Sequence, residues 1–296
     1  MKIKLEKDEV IPATFDPVFK EIFTSGDCHK FTCRMISGIT GINEKYLTKN
    51  LKVINNELSK TKIRERTKRT DVLLSIEGHI INLEMNNLYY DGLFEKNDIY
   101  QHSIINQTAK VGDSYTSIKR VIQINIDNFS KFEKEISVFK LMEIDTKEIE
   151  NENYIKFHIS LPKIQKKYYN REKLNYLEKQ LFMITVNNKK MLKELSLGDE
   201  VLMELKKKVE VLSEEEAFSN LYDEERQRMM IENDKLKYAK KQGLEKGLEQ
   251  GEKQKTLEIA KTMLKNNVET DLIIKYTGIT KEELDKLKWW LILIIF

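Results

Sequence analysis

The segment Lys68 to Asn87, KRTDVLLSIEGHIINLEMNN, leaves the chain few options, because two alternating arms rich in Val, Ile and Leu meet at Glu77-Gly78 and read as a β-hairpin. A turn centred there pairs Ile76 with His79, Leu74 with Ile81, Val72 with Leu83 and Asp71 with Glu84. Side chains alternate, so one face carries Val72, Leu74 and Ile76 with His79, Ile81, Leu83 and Met85. The other carries Arg69, Asp71, Leu73 and Ser75 with Ile80, Asn82, Glu84 and Asn86. One face is core and one is polar.

In that register the Cβ atoms of Asp71 and Glu84 lie roughly 5 Å apart, where like charges destabilise unless something positive sits between them. A divalent cation meets that need. Mg²⁺ takes oxygen ligands at about 2.1 Å, usually one or two carboxylates with waters and substrate phosphate. The alternative is an exposed polar sheet face with two solvated acids.

Around the hairpin, Phe15, Val18, Phe19, Ile22 and Phe23 have helical spacing, with Asp16 and Pro17 suited to a helix start. A helical stretch from about Phe31 ends near Gly38 or Gly41, and Leu51 to Leu58 reads as a first strand. Phe94 to Val111 reads as a helix closed by Gly112, followed by strands at Ser117 to Ile126 and at Tyr154 to Leu161, before Pro162. The order αβββαβ, with helical character from Asn170 onward, predicts an α/β fold with a mixed sheet flanked by helices. The expected divisions are a core over 1–165, a helical extension over 166–221, a charged helical region over 222–288 and an apolar tail over 289–296.

In the charged region, Gly243, Gly247 and Gly251 share one helical face in GLEKGLEQGEKQ. Each weakens a helix by about 1 kcal/mol relative to Ala, and a tolerated low-complexity insert is favoured over close helix packing. The segments IAKTMLKNN, DLIIKYTG and ITKEELDKL form a small helical unit with a capping box at Thr280 and Glu283. Without a basic recognition helix, a docking hairpin is preferred to a helix-turn-helix. Self-association through these helices is the expected protein partnership.

Lys and Arg number 51 against 48 Asp and Glu, so nucleic-acid contact has to come from local basic patches. Cys28 and Cys33, with His29, are too few ligands for structural zinc and read as reduced thiols. The N-terminus does not look like a signal peptide, and neither it nor the tail WWLILIIF approaches the ~20 apolar residues of a membrane span. A cytoplasmic location is expected.

The segments TFDPVFKEIF, KRTDVLLSIEGHIINLEMNN, NDIYQHSIINQTAKVGDSY and IKRVIQINIDNF, taken in order, resemble the transposase-like branch of the PD-(D/E)XK nuclease superfamily, the Rpn-family recombination-promoting nucleases. The charged helix with EKGLEQG, then IIKYTGITKEEL, resembles the C-terminal region of these proteins. The resemblance implies a restriction-endonuclease-like core with a helical C-terminal region, acting as a metal-dependent DNA endonuclease in recombination, with Mg²⁺ or Mn²⁺ as cofactor and DNA as partner. It places Asp71 and Glu84 at the metal. Asp16 and Lys20 match the early helix signature, and Gln107, Gly112 and Tyr115 match the helix after the hairpin.

Asn86 occupies the terminal motif position, where the superfamily usually has Lys and this branch commonly Gln; Asn is shorter and cannot act as a base. The expected catalytic residues are therefore Asp71, Glu84 and Asn86, with Asp16 reaching the metal shell or merely complementing its helix dipole. Lys20, Lys68, Arg69, Lys96, Gln107 and Tyr115 are the expected nucleic-acid contacts, with Lys60, Lys62, Arg64 and Arg66 close by in sequence. Lys96 stands where relatives often have Arg, keeping the charge without the planar fork. The contrasting reading is a degenerate DNA-binding or self-associating protein that keeps the nuclease fold.

Overall fold

Three helices precede the sheet in the computed structural model, which describes residues 5–54, 57–58, 68–108, 114 and 118–293. Helix α1, Asp16–Thr24, starts with Pro17 in its first turn and buries Val18, Phe19, Ile22 and Phe23. Helix α2, His29–Thr40, runs past Gly38 and stops at Gly41, whose φ of +75° suits a residue without Cβ. Asn43 caps α3, Glu44–Asn50, by accepting the Tyr46 N–H.

The predicted first strand is two short ones. Strand β1, Lys52–Ile54, joins the main sheet, whereas β2, Glu57–Leu58, pairs only with β3, Lys68–Arg69. The hairpin is β4, Val72–Ile76, and β5, His79–Asn86, with Val72 opposite Leu83, Leu74 opposite Ile81 and Ile76 opposite His79, the register expected from the turn. Gly78 takes φ +73° there. Space is open where a Cβ would go, so Gly78→Ala would add backbone strain without a clash. Denaturant unfolding should show Gly78→Ala about 1 kcal/mol less stable than wild type; an unchanged midpoint would mean the turn does not require the positive φ.

Helix α4, Leu93–Thr108, leads to β6, Arg120–Asp127. Strand β7, Ile136–Lys140, was not expected, and β8, Tyr154–Ser160, gives way directly to α5, Leu161–Tyr169. Pro162 lies in the first turn of α5, where its missing N–H costs nothing. Among the described residues the main sheet has the order β1-β4-β5-β6-β8-β7, with β5, β6 and β8 parallel and the outer pairs antiparallel. Helices α6, Tyr176–Met183, α7, Lys189–Ser196, and α8, Glu200–Glu214, complete the same body.

One sheet face, with Leu74, Ile81, Leu83, Ile124 and Ile159, packs into a core shared with Phe19, Phe31, Phe182, Leu202 and Leu205. The opposite face departs from expectation. It is not a solvated polar surface, because Leu73, Ile80 and Val121 pack against Ile104 of α4. Polar side chains on that face are consequently buried.

Helix α9, Glu216–Lys265, passes through Gly243, Gly247 and Gly251 without interruption, and a Cβ at any of the three would meet open space. The chain divides into two units at 223/224, within this helix. Tyr222 packs edge-on against Phe15 at 5.2 Å, so the first turns of α9 belong to the first unit. In the second unit, α10, Thr270–Thr277, ends at Gly278 with φ +70°, and α11, Lys281–Leu293, begins with the reciprocal Thr280–Glu283 capping box. Ala260, Ile273, Ile279, Leu284 and Leu287 form its core. No helix among the described residues is long and apolar enough to cross a membrane.

Candidate active site

Asp71 lies one residue before β4, where the ladder ends, and its side chain substitutes for the next ladder bond. Its Oδ2 accepts the Met85 N–H at 2.9 Å, while its own N–H donates to Glu84 Oε1 at 3.3 Å. The two carboxylates are thus adjacent. Their positive partners are lysines: Lys20 from α1 reaches Asp71 Oδ1 at 3.3 Å and Asp16 Oδ2 at 2.8 Å, and Lys96 from α4 reaches Glu84 Oε2 at 3.4 Å. The mutual repulsion argued from the hairpin is therefore already partly offset within the protein.

Burial, reinforced by the Asp71 charge, pushes the Glu84 carboxyl up to about 7 against the opposing pull of Lys96. Asp71 is raised too, chiefly by burial, with the Met85 N–H and Lys20 acting against the shift and Asp16 adding to it. For Lys96, burial is the largest influence and disfavours the ammonium, but Glu84, Tyr90, Tyr100 and Asp71 together outweigh it and hold the group above its ordinary value. Lys20 follows the same logic with Asp16 and Asp71. Together these acids and ammoniums form one compensated cluster.

From Glu84 a chain of buried side chains crosses the sheet. Asn82 Nδ2 donates to Glu84 Oε1 at 3.3 Å and to Gln123 Oε1 at 2.8 Å, and Gln123 Nε2 donates to Asn125 Oδ1 at 3.0 Å. Asn125 Nδ2 lies 3.4 Å from His158 Nε2, His158 Nδ1 is 2.8 Å from Asp127 Oδ2, and Asn86 Nδ2 donates to Asp127 Oδ1 at 2.8 Å. The path begins at one motif residue, Glu84, and ends at another, Asn86. Asn97 of α4 joins it by donating to Asn125 Oδ1 at 2.9 Å. Two amide oxygens in this layer, Asn82 Oδ1 and Asn97 Oδ1, are buried without a donor.

Lys20, Asp71, Glu84 and Lys96 come together, with Asp16 at the edge through Lys20. Asn86 shares the face but is tied to Asp127. Gln107 is exposed on α4, and Arg69 is exposed on β3. Tyr115, Gly112, Lys60, Lys62, Arg64 and Arg66 lie outside the described residues, as does the side chain of Lys68. Asp127 and His158 were missed, although a signal was available: polar residues at every second position of QINID and FHIS contradict the apolar runs usual for parallel strands covered on both faces.

The donor set suits a hard divalent cation. Asp71 and Glu84 offer carboxylate oxygens, and Mg²⁺ commonly accepts only one or two such groups and fills the rest of its shell with water and phosphate. Asp16 is exposed and paired with Lys20, and among the described residues no group of three or more His, Cys, Asp or Glu is placed to hold an ion.

Among known families, the one described as PD-(D/E)XK nuclease family transposase matches residues 13–239. The one described as Rpn/YhgA-like nuclease family, C-terminal HTH domain, matches residues 253–288. The second match corrects the preference for a docking hairpin over α10 and α11. No curated protein and no solved structure matches the chain at a significant level.

Proposed function

The chain belongs to the PD-(D/E)XK nuclease family transposases, and from that premise we propose that it is a divalent-metal-dependent endonuclease that hydrolyses DNA phosphodiester bonds and promotes recombination. The observation that carries this reading is the convergence of Asp71 and Glu84, from the two arms of one hairpin, beneath two lysines from different helices. Asp71 and Glu84 would hold Mg²⁺, or Mn²⁺ in its place. When bound, such an ion supplies Lewis-acid polarisation of the phosphate and activation of water at neutral pH.

The protein's own groups supply the rest. An ammonium has three N–H donors. Lys96 uses one on Glu84, and its partly exposed side chain leaves the others for a substrate phosphate. Lys20, committed to Asp16 and Asp71, mainly holds the Asp71 carboxylate in place. With the Asn86 NH₂ turned to Asp127, the amide oxygen is the end available to orient an attacking water, and it cannot take that water's proton. Asn86→Ala should therefore slow cleavage about tenfold, and at least one of Asn86→Gln and Asn86→Lys should accelerate it. If none of the three changes the rate, Asn86 lies outside the catalytic machinery.

The match of 253–288 to an HTH domain supports a DNA-binding role for the second unit. Over 281–288, Lys281, Lys286 and Lys288 balance Glu282, Glu283 and Asp285, so attraction by net charge is not what drives that contact. Exposed Met230, Leu236, Leu244 and Leu248 on α9 support self-association through that helix.

The deciding experiment incubates the full chain with supercoiled plasmid across an Mg²⁺ and Mn²⁺ series, with Asp71→Ala as control. Nicking by wild type alone supports the nuclease. An inert wild type that still binds DNA favours the degenerate reading, motivated by Asn86 and by the lysines neutralising both acids. Nicking by both proteins would mean that Asp71 is not the metal residue.

A further inference from the structure

Beyond Asn86 the chain leaves the sheet through Leu88-Tyr89-Tyr90 and enters α4 within one turn, the Leu93 N–H donating to the Tyr90 carbonyl and the Lys96 N–H to that of Gly92. These three apolar side chains are not in the core. Leu88 is 64% exposed, Tyr89 42% and Tyr90 50%. Tyr89 is held edge-on by Phe94 at 5.8 Å and Phe129 at 5.4 Å, and Phe94 in turn stacks on Phe132 at 5.6 Å. The exposed ring therefore rests on a supported aromatic cluster.

Cations accompany the rings. Lys131 Nζ lies 4.6 Å from the centroid of Tyr89, and Lys96 Nζ lies 5.2 Å from that of Tyr100 while also touching Glu84. Tyr90 and Glu84 both act on the Lys96 ammonium, which puts the Tyr90 hydroxyl within electrostatic reach of the carboxylate cluster. Exposed π-faces interleaved with ammoniums, close to the groups that would act on a phosphodiester, match what an unpaired strand presents: base faces along one side and phosphates along the other. A duplex hides its base faces between neighbouring pairs and offers these rings only its ends.

We propose that Tyr89 and Tyr90 form a stacking platform, flanked by Lys131 and Lys96, that receives an unpaired stretch of DNA at the candidate active site. This deepens the nuclease reading and rests on it: the substrate is single-stranded, frayed or flapped DNA, taken without base preference because every base has a π-face.

Binding tests it without turnover. Full-length Asp71→Asn in EDTA is titrated into a single-stranded oligonucleotide carrying 2-aminopurine, and separately into its duplex. The expected results are at least about tenfold tighter binding of the single strand, with quenching of the probe. Tyr89→Leu/Tyr90→Leu on the same background should weaken that binding about tenfold or more, and Tyr89→Phe/Tyr90→Phe should retain it, since Phe keeps the π-face and Leu only the apolar surface. Circular dichroism of each variant confirms folding, and the Phe pair, which disturbs packing least, decides if the Leu pair unfolds: loss of single-strand binding by a folded Phe pair overturns the platform. Equal affinity for single strand and duplex, or Leu variants within twofold of their parent, also overturns it. If wild type is inert with every cation yet this binding pattern holds, the nuclease reading fails and the platform stands. If duplex and single strand are cut equally and the Tyr variants cut normally, the nuclease stands and the platform fails.

Discussion

Asp71→Asn and Glu84→Gln should each lower cation-stimulated cleavage by roughly 10²–10³-fold, the scale seen when one preorganised charge-stabilising group is removed. The same substitutions should remove stabilisation by the cation. Wild type should gain about 2.7 kcal/mol at a cation concentration 100 times Kd, read from melts with and without Mg²⁺, and neither variant should gain comparably. Without metal, stability should change little near pH 5, where Glu84 keeps its proton, whereas above pH 7 Glu84→Gln should be more stable than wild type, whose buried carboxylate is then ionised. The gain is reduced because each carboxylate accepts a lysine and a backbone N–H, and an amide would turn its NH₂ toward one of those donors. Undiminished cleavage by either variant would remove that residue from the site.

The metal-free protein should become less stable as pH rises from about 4.5 to about 7. Glu84 has its folded value pushed up to about 7 from an ordinary 4.5, so the native state binds the proton more tightly than the unfolded chain. Below pH 4.5 both states are protonated and no penalty exists. Above pH 7 both are ionised and the full cost of the buried carboxylate applies, on the order of 3–4 kcal/mol at about 1.4 kcal/mol per unit. Asp71 shifts in the same direction and adds to the slope. Urea unfolding at pH 5 and pH 7.5 in EDTA should show the loss, Glu84→Gln should flatten it, and saturating Mg²⁺ should diminish it by binding the ionised form. If wild type and Glu84→Gln share one pH dependence through this window, burial is not holding the proton on Glu84.

The hairpin register and the meeting of Asp71 with Glu84 were legible in sequence because a period of two and a two-residue turn leave little freedom. The fate of the polar face was not. Alternation tells which residues share a face but not what covers it, and α4 supplies both the apolar contact at Ile104 and the amide of Asn97 that closes over Asn125. Strand β7 escaped notice because ISVFK, on the sheet edge, lacks a run of buried positions. Lys20 and Lys96 were read as phosphate contacts. Their ion pairs with the acids depend on where two helices dock, a tertiary fact with no local periodicity. Tyr89 and Tyr90 look like ordinary loop residues until their exposure and the cluster beneath Tyr89 are seen.

The first unit closes on itself across most of its length. The Ile11 N–H donates to Ser213 Oγ at 2.9 Å, and Lys208 of α8 pairs with Glu21 and Asp27 beside α1. During synthesis, α1 and the hairpin bearing both acids emerge long before the helix that seals their core, and at about 5–20 residues per second they wait many seconds for it. A ribosome stalled ahead of α8 would carry a sheet whose apolar face is covered by α1 and α2 but still lacks Leu202, Leu205 and Val209, a target for chaperones and proteases.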